Sequence, residues 1–298
     1  MNSEDCVLAV DLGATNVRTA IILRDGTILG YHRDEVRNAD ILQRTISLVK
    51  KTQRECGMQP KALGISTAGP VDLERGTVIH SPNMQCSEIP LRSTLEKTFG
   101  IPTVMATDCK AGALGEYHFG FRREHMVYMT FSTGIGAGVV SAGRLLQGCN
   151  GNAGEVGHFT VDTEYGIRCG CGGYGHWEAY ASGTGIPKFF STWKLRHRIE
   201  NYPLTTSEEI LSCASKKDPV CLAFAEDVKA INNRGLSSVI CAYNPEMIVL
   251  DGPLARNYAS LLFGMPETYL TTPDIRVTEL EGNAPLLGAG VLAFELID

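Results

Sequence analysis

The first part of the chain alternates short apolar runs with glycine turns. Residues 7–10, 17–23 and 27–31 form three such runs, and Asp25-Gly26 between the last two is a strong hairpin signal. Apolar runs this short, bounded by turns, are typical of β-strands rather than helices. The pattern predicts an antiparallel three-stranded meander at the start of the chain.

Helical periodicity follows the meander. Apolar residues recur at helical spacing over 41–49, which predicts a helix that covers the sheet. Apolar runs at 61–66 and 103–106 predict two further buried strands, and the second leads into a helical pattern at 109–117. These segments predict one α/β lobe.

The middle of the chain repeats the opening design. Apolar runs at 126–131 and 137–142 flank a polar glycine turn at 132–136. The rest is mainly helical in pattern, with a buried strand predicted at 247–250 and an apolar helix at 286–296. The repeated strand, turn and strand predict a second, related lobe.

The length of the chain agrees with two lobes, because 298 residues suffice for two separate hydrophobic cores. We predict a small lobe from residues 1–118 plus 288–298 and a large lobe from residues 119–287, with a cleft between them. The final helix would then return to pack on the first lobe.

Composition narrows the range of partners. The net charge of −6 and the lack of a dense Lys/Arg run argue against nucleic acid. The first apolar run is interrupted at Asp11, which fits neither a signal peptide nor a membrane span. Eight of the ten cysteines are scattered singly, as expected for reduced thiols. We therefore expect a cytoplasmic protein that binds neither nucleic acid nor membrane.

Two turns carry residues suited to phosphate. At Asp11, Gly13 and Thr15, backbone N–H groups and a hydroxyl can face phosphate oxygens, and the carboxylate can hold a phosphate-bound Mg²⁺ through water. Thr133 and Gly134 in the second turn can bind the same triphosphate from the opposite side. A strand follows this second turn, which excludes a dinucleotide site. An ordinary hairpin with an Asx-type turn remains the alternative for the first turn.

Asp108 stands between the strand at 103–106 and the helix that follows. A carboxylate at a strand end can accept the proton of a sugar hydroxyl as that hydroxyl attacks the γ-phosphate of ATP. The alternative is an N-cap aspartate with no catalytic part.

Four soft or borderline metal ligands lie within nineteen residues: His158, Cys169, Cys171 and His176. Their number and type suit tetrahedral Zn²⁺ with no open position, and hence a structural site. The alternative is that two reduced cysteines and two histidines only share a loop.

Two carboxylates flank these ligands. Glu155 precedes His158 by three residues, and Glu178 follows His176 by two. One metal ion would thus order two carboxylates and an imidazole into a patch that suits sugar hydroxyls. Taken separately, the two acids could equally be solvated surface charges.

Together these motifs resemble the ROK family of sugar kinases and repressors, a branch of the actin, hexokinase and heat-shock chaperone superfold. The resemblance spans nearly the whole chain and rests on six motifs in family order: residues 11–15, 64–71, Asp108, 132–136, 151–158 and 169–183. It implies an α/β, two-lobed actin-like ATPase (ribonuclease H-like) fold and ATP-dependent phosphorylation of a hexose at its 6-hydroxyl. Lobe closure on the sugar would exclude water.

The resemblance also implies roles for single residues. Asp108 is implied as the catalytic base, and the implied sugar-binding residues are Gly69, Asn83, Glu155, His158 and Glu178. The residues implied around the ATP phosphates are Asp11, Gly13, Thr15, Asn16, Arg18, Thr133 and Gly134, and the turn Asp251-Gly252 is implied near adenosine. In this picture His158 serves both zinc and sugar, and the resemblance favours a homodimer.

Two positions depart from the family pattern. His176 stands where the family usually has a third cysteine, and imidazole can replace thiolate on zinc. Thr107 stands where the family usually has an asparagine that contacts sugar hydroxyls, so the preferred sugar stays open. Pro70 favours glucose, because N-acetylmannosamine kinases have arginine there, whereas residues 178–183 resemble those kinases equally well. We predict glucose, with N-acetylmannosamine or N-acetylglucosamine as the alternative.

Three other classes compete with a sugar kinase. A ROK repressor carries a DNA-binding module ahead of the kinase-like part, and few residues precede the first predicted strand here. A catalytically silent sugar sensor is favoured by the atypical Thr107 and opposed by the retained Asp108. An actin-like filament or chaperone ATPase has no need of the block at 158–178.

Overall fold

The computed structural model describes residues 5–36, 40–79 and 88–298. Contacts divide the chain into two compact units. The first unit comprises Met1–Glu124, Ala142–Ala153 and Glu279–Asp298, and the second comprises His125–Ser141 and Gly154–Thr278.

Strands and helices alternate in the first unit. Its strands are β1 (Cys6–Leu12), β2 (Asn16–Leu23), β3 (Ile28–Glu35), β4 (Leu63–Thr67), β5 (Val71–Asp72), β6 (Thr77–Val78), β7 (Thr103–Thr107) and β10 (Arg144–Leu145). Its helices are α1 (Ile41–Cys56), α2 (Leu91–Phe99), α3 (Asp108–Phe119) and α9 (Ala284–Phe294).

The second unit is richer in helix. Its strands are β8 (Met126–Phe131), β9 (Ile135–Ser141), β11 (Met247–Asp251) and β12 (Asp274–Val277). Its helices are α4 (Glu178–Ala181), α5 (Gly185–His197), α6 (Ser207–Ser215), α7 (Pro219–Tyr243) and α8 (Pro253–Leu262), with a short 3-10 helix at Val156–His158. Within the described residues, every helix is too short or too polar to cross a membrane.

The sheet of the first unit has the order β3-β2-β1-β4-β7. Strands β3, β2 and β1 are antiparallel, as predicted, and β1, β4 and β7 are parallel. Strand β3 runs four residues past its predicted end at Tyr31. The apolar pattern did not predict residues 32–35 as strand because they are polar and half-buried or exposed. The apolar helix α9 packs on β1 and β4, which confirms the helix predicted at 286–296.

In the second unit, β9-β8-β11-β12 are neighbours in that order, with β8 and β9 antiparallel and β8, β11 and β12 parallel. The core beside this sheet is aromatic. Trp177 is fully buried, its Nε1 donates to Asn232 Oδ1 (2.7 Å), and an added Cβ at Gly235 would lie 2.3 Å from its ring. This packing fixes the chain immediately before Glu178.

Candidate active site

The first glycine turn joins β1 to β2 at one edge of the first sheet. The N–H of Gly13 donates to the carbonyl of Asn16 (2.9 Å), and the residues of the turn are half-buried. The carbonyl of Thr15 accepts from the N–H of Val36 (2.9 Å). Gly13, Thr15 and Asn16 therefore lie together in a tight hairpin turn.

Asp11 and Arg18 are cross-strand partners beside this turn. The buried Asp11 carboxylate accepts from Arg18 Nε (2.8 Å) and from the Ser66 hydroxyl (2.7 Å). Arg18 also donates to the Gly282 carbonyl (2.7 Å). Burial, the largest single effect, would lower the pKa of Arg18, but the charge of Asp11, the hydrogen bond to Asp11 and the interaction with Tyr31 together raise that pKa. A carboxylate has lone pairs beyond those that these donors use, so Asp11 can still accept from metal-bound water.

Asp108 lies at the same edge of this sheet. The carboxyl ends of three parallel strands are aligned there, since Leu12 of β1 pairs with Thr67 of β4, which in turn pairs with Thr107 of β7. Asp108 is the first residue of α3, and its Oδ1 accepts from the N–H of Cys109 (2.8 Å). Thr107 occupies the N-cap position, so the alternative of an N-cap aspartate does not apply.

Gly69 also follows one of these strands, two residues after β4 ends. An added Cβ at Gly69 would lie 3.8 Å from Thr107 Cγ2, so the glycine borders the Thr107 side chain. Asn83 lies outside the described residues. The structure thus brings Gly69, Thr107 and Asp108 together.

The second predicted phosphate turn joins β8 to β9 in the second unit. The N–H of Ser132 donates to the Gly134 carbonyl (3.0 Å) and closes the turn. From the other side, the N–H of Gly183 donates to the Ser132 carbonyl (2.7 Å), and the Thr184 hydroxyl donates to the Thr133 carbonyl (2.9 Å). These bonds hold Thr133 and Gly134 in place.

Glu178 lies against this second turn. Its Oε2 accepts from the N–H of Ile135 (3.1 Å), and an added Cβ at Gly134 would lie 2.4 Å from the same oxygen. A side chain at position 134 would therefore displace the Glu178 carboxylate. The other oxygen, Oε1, lies 3.9 Å from Cys169 Sγ. Glu178 thus connects the predicted phosphate turn with the predicted metal ligands.

Gly252 follows β11 at the edge where β8 ends. Its φ is 90°, and an added Cβ would lie 2.3 Å from the carbonyl oxygen of Phe131. The neighbouring Asp251 carboxylate is buried and accepts from the Tyr128 hydroxyl (2.7 Å) and from Arg256. Gly252 is therefore held next to the second phosphate turn.

The four predicted metal ligands converge. Ligand atoms of His158, Cys169, Cys171 and His176 all lie within 4.8 Å of one another. His158 Nδ1 is 3.8 Å from Cys169 Sγ, and His176 Nδ1 is 3.2 Å from Cys171 Sγ. Ligands of tetrahedral zinc stand about 3.3–3.8 Å apart, since Zn–N and Zn–S bonds are about 2.0–2.3 Å. The two sulfurs and two nitrogens therefore suit Zn²⁺ in type and number, and these two nitrogen–sulfur distances lie close to the spacing of zinc ligands.

His158 presents its two ring nitrogens to different partners. Nδ1 faces Cys169, while Nε2 lies 3.8 Å from Glu155 Oε2. The Glu155 side chain is 59% exposed and the His158 side chain 37%. Both side chains are therefore accessible to a ligand, on the side of the ring that faces away from the cysteine.

Some residues of the site were not predicted from sequence. Ser66 belongs to the motif at 64–71, but the motif does not reveal the bond from its hydroxyl to Asp11. Lys110 is 1% exposed, and its Nζ donates to the backbone carbonyls of Gln147 (3.1 Å) and Gly151. The available signal was a lone lysine among small apolar residues two positions after Asp108.

The chain is similar to known proteins over nearly its whole length. A glucokinase from Pyrobaculum calidifontis is 33% identical over 294 residues, covering 97% of this chain and 95% of that protein. The structure of the ROK hexokinase from Thermus thermophilus matches with a TM-score of 0.81 and 28% identity, covering 98% of this chain and 99% of that one. A ROK family glucokinase from Streptomyces griseus, in complex with glucose and AMPPNP, matches with a TM-score of 0.77 and 25% identity, covering 97% and 99%.

These matches confirm the α/β fold of the actin-like ATPase type that the motifs predicted. The ROK family model aligns with residues 7–295, nearly the whole chain. The chain therefore belongs to the ROK family.

Proposed function

We propose that this protein is an ATP-dependent sugar kinase that transfers the γ-phosphoryl group of ATP to the 6-hydroxyl of glucose. The observation that carries the proposal is the shared edge of the first sheet, where the Gly13–Asn16 turn follows β1 and Asp108 follows β7, two parallel strands with only β4 between them. This is the arrangement that a phosphate-binding turn and a base for phosphoryl transfer require. The full-length similarity to glucokinases makes glucose the first choice of sugar.

Asp108 is the proposed catalytic base. Its carboxylate accepts the proton of the 6-hydroxyl as the hydroxyl oxygen attacks the γ-phosphorus and the bond to the β-phosphate oxygen breaks. ADP leaves with that oxygen. The rest of the rate enhancement comes from positioning and from neutralising phosphate charge.

The proposed nucleotide site uses both glycine turns. Gly13, Thr15 and Asn16, together with Thr133 and Gly134, offer backbone N–H groups and hydroxyls to the phosphates. Arg18 contributes a fixed positive charge, and Asp11 holds the ATP-bound Mg²⁺ through water. The turn at Gly252 is the part of the proposed site that lies near the adenosine.

The proposed sugar-binding residues are Gly69, Asn83, Thr107, Glu155, His158 and Glu178. Carboxylates accept hydrogen bonds from sugar hydroxyls, and Glu178 is already held by the backbone of Ile135. Thr107 borders Gly69, so its side chain shapes the space beside Asp108.

Zinc is the proposed structural ion at His158, Cys169, Cys171 and His176. When bound, it supplies a rigid cross-link of the loop, with no position left for catalysis. His158 would bind through Nδ1, which leaves Nε2 for the sugar.

The proposed location is the cytoplasm, and the proposed assembly is a homodimer. The described cysteines carry free thiols, which suits the cytoplasm, where ATP is also available. The proposed assembly is a homodimer, by resemblance to the family alone.

The experiment is ADP release with Mg²⁺ and ATP across glucose, N-acetylmannosamine, N-acetylglucosamine, mannose and a sample without sugar. We expect kcat/KM to be highest for glucose and turnover without sugar to be negligible. A clear preference for N-acetylmannosamine would move the substrate to the alternative sugar. Turnover that does not depend on sugar would contradict a sugar kinase, and sugar binding without turnover would indicate a silent sensor.

A further inference from the structure

Lys110 is buried to 1% exposure on the first turn of α3, two residues after Asp108. Lysine is almost never buried to this extent unless partners compensate for its lost hydration. The function proposed above assigns no part to Lys110.

The partners of Lys110 include two backbone carbonyls of one glycine-rich segment. Its Nζ donates to the carbonyls of Gln147 (3.1 Å) and Gly151. The Gln147 carbonyl also accepts from the N–H of Ala153 (3.2 Å), so residues 147–153 close into a loop. We call these residues the anchored loop.

Gly151 is the point where the anchored loop turns inward. Gly151 is buried, whereas residues 148–150 and 152 are exposed. Its φ is 74°, and an added Cβ would lie 2.5 Å from Leu73 Cδ1. The loop is therefore seated between Leu73 and Lys110 at a position that only glycine occupies without strain.

The helix that carries Lys110 is itself immobilised within the first unit. An added Cβ at Gly288 of α9 would lie 1.6 Å from the Ala111 carbonyl oxygen, and one at Gly115 would lie 2.1 Å from that of Ala284. The backbones of α3 and α9 are thus in direct contact. A loop tied to α3 is tied to the same element that begins with Asp108.

The anchored loop continues directly into the proposed sugar-binding residues. Glu155 follows Gly151 by four residues, and His158 follows by seven. Between Gly151 and Glu155, Gly154 is also fixed to β9, since its carbonyl accepts from the N–H of Ala137 (3.0 Å). A released anchored loop would therefore leave the backbone that leads into Glu155 with one attachment on this side in place of two.

We propose that Lys110 is a positioning residue for sugar binding, which acts by holding the anchored loop and through it Glu155. This inference rests on the proposed function. Lys110 does not touch the sugar, and its effect is specific to the sugar rather than to ATP.

The test is Lys110→Met, which keeps the length of the side chain and removes the ammonium group. Losing this donor should raise the KM for glucose about tenfold or more, because a buried carbonyl loses its partner and the loop loosens. The KM for ATP should stay within about twofold of the wild-type value, because the anchored loop contains none of the proposed nucleotide-binding residues. Amide hydrogen exchange over residues 147–153 should become faster.

Lys194→Met is the matched control. Lys194 Nζ also donates to a backbone carbonyl, that of Tyr202 (2.5 Å), but in the second unit and away from the anchored loop. This variant should keep the wild-type KM for glucose and wild-type exchange over 147–153.

A folded Lys110→Met protein with the wild-type KM for glucose, or with unchanged exchange of the loop, would overturn the inference. If that variant does not fold, Gly151→Ala replaces it, because the added methyl group meets Leu73 and must raise the KM for glucose in the same way. A wild-type protein without glucose turnover would instead contradict the proposed function.

Discussion

The carboxylates of the candidate site differ in how firmly their neighbours hold them. Asp11 is buried in an ion pair with Arg18, and Glu178 accepts from a backbone N–H. Glu155 is mostly exposed and lies 3.8 Å from His158. A side chain so placed depends on its backbone for orientation, and the backbone just before Glu155 is held by the bond from the Ala137 N–H to the Gly154 carbonyl (3.0 Å).

The metal site gives a prediction for a single residue. We expect about one zinc ion per chain in the wild-type protein. Cys171→Ser should lower this zinc content well below the wild-type value, because a hydroxyl is a poor zinc ligand. Elemental analysis measures this directly. Cys241→Ser is the control, since Cys241 is an exposed cysteine outside the cluster and should keep the wild-type zinc content. Equal zinc in the wild-type and Cys171→Ser proteins would refute the site.

The sequence identifies site residues whose side-chain type indicates their chemistry, and it does not reveal contacts made by the backbone. The spacing of cysteines and histidines was sufficient to find four residues that the structure brings within 4.8 Å. The ion pair of Asp11 and Arg18 depends on the register of the hairpin, which places these two residues opposite each other. The anchored loop could not be found in this way, because the acceptors of Lys110 are backbone carbonyls, which no residue type reveals.

At the scale of elements, the longest helix gives the clearest prediction. Helix α7 spans 25 residues, and the Asp218 side chain caps it by accepting from the N–H groups of Val220 (3.1 Å) and Cys221 (2.9 Å). Asp218→Ala should lower the free energy of unfolding by about 1 kcal/mol, because two N–H groups lose their acceptor. Urea unfolding at pH 7 measures this, and an unchanged midpoint would contradict the capping role.

The same cap predicts a dependence on pH. The backbone N–H of Cys221 is the main cause of the lowered pKa of Asp218 in the folded chain. A carboxyl group whose pKa is lower in the folded than in the unfolded chain stabilises the folded state at pH values above its ordinary pKa. This stabilisation is lost as the pH falls through the pKa of the folded state. Asp218→Asn keeps an accepting oxygen that does not titrate. The difference in free energy of unfolding between this variant and the wild-type protein, measured by urea unfolding, should therefore become smaller in acid.

Strong apolar patterns identified most elements, and short or polar ones were missed. Strands β1, β2, β8 and β11 were predicted to within a few residues because each is a nearly continuous buried run. The hairpin of β5 and β6 was missed because each strand has only two residues, too few for any periodicity. Helix α2 was missed because few of its nine residues are buried.

At the scale of the whole molecule, the order of the motifs along the chain predicted the family and the fold, which no single motif could do. The first glycine turn alone admitted an ordinary hairpin, and Asp108 alone admitted a cap. Six motifs in the right order identified the ROK family and its fold, which the comparisons confirm. The preferred sugar is harder to predict, because fold does not determine substrate and Thr107 departs from the family pattern.

The most direct test of the account is formation of glucose 6-phosphate from glucose and ATP by the wild-type and Asp108→Asn proteins, followed by ³¹P NMR. The wild-type protein should form this product, and the variant should form it at least about a hundredfold more slowly, because an amide cannot accept the proton. Calorimetry should show that the variant still binds glucose. A wild-type rate in Asp108→Asn would contradict Asp108 as the base, and no glucose 6-phosphate from the wild-type protein would contradict the glucokinase itself.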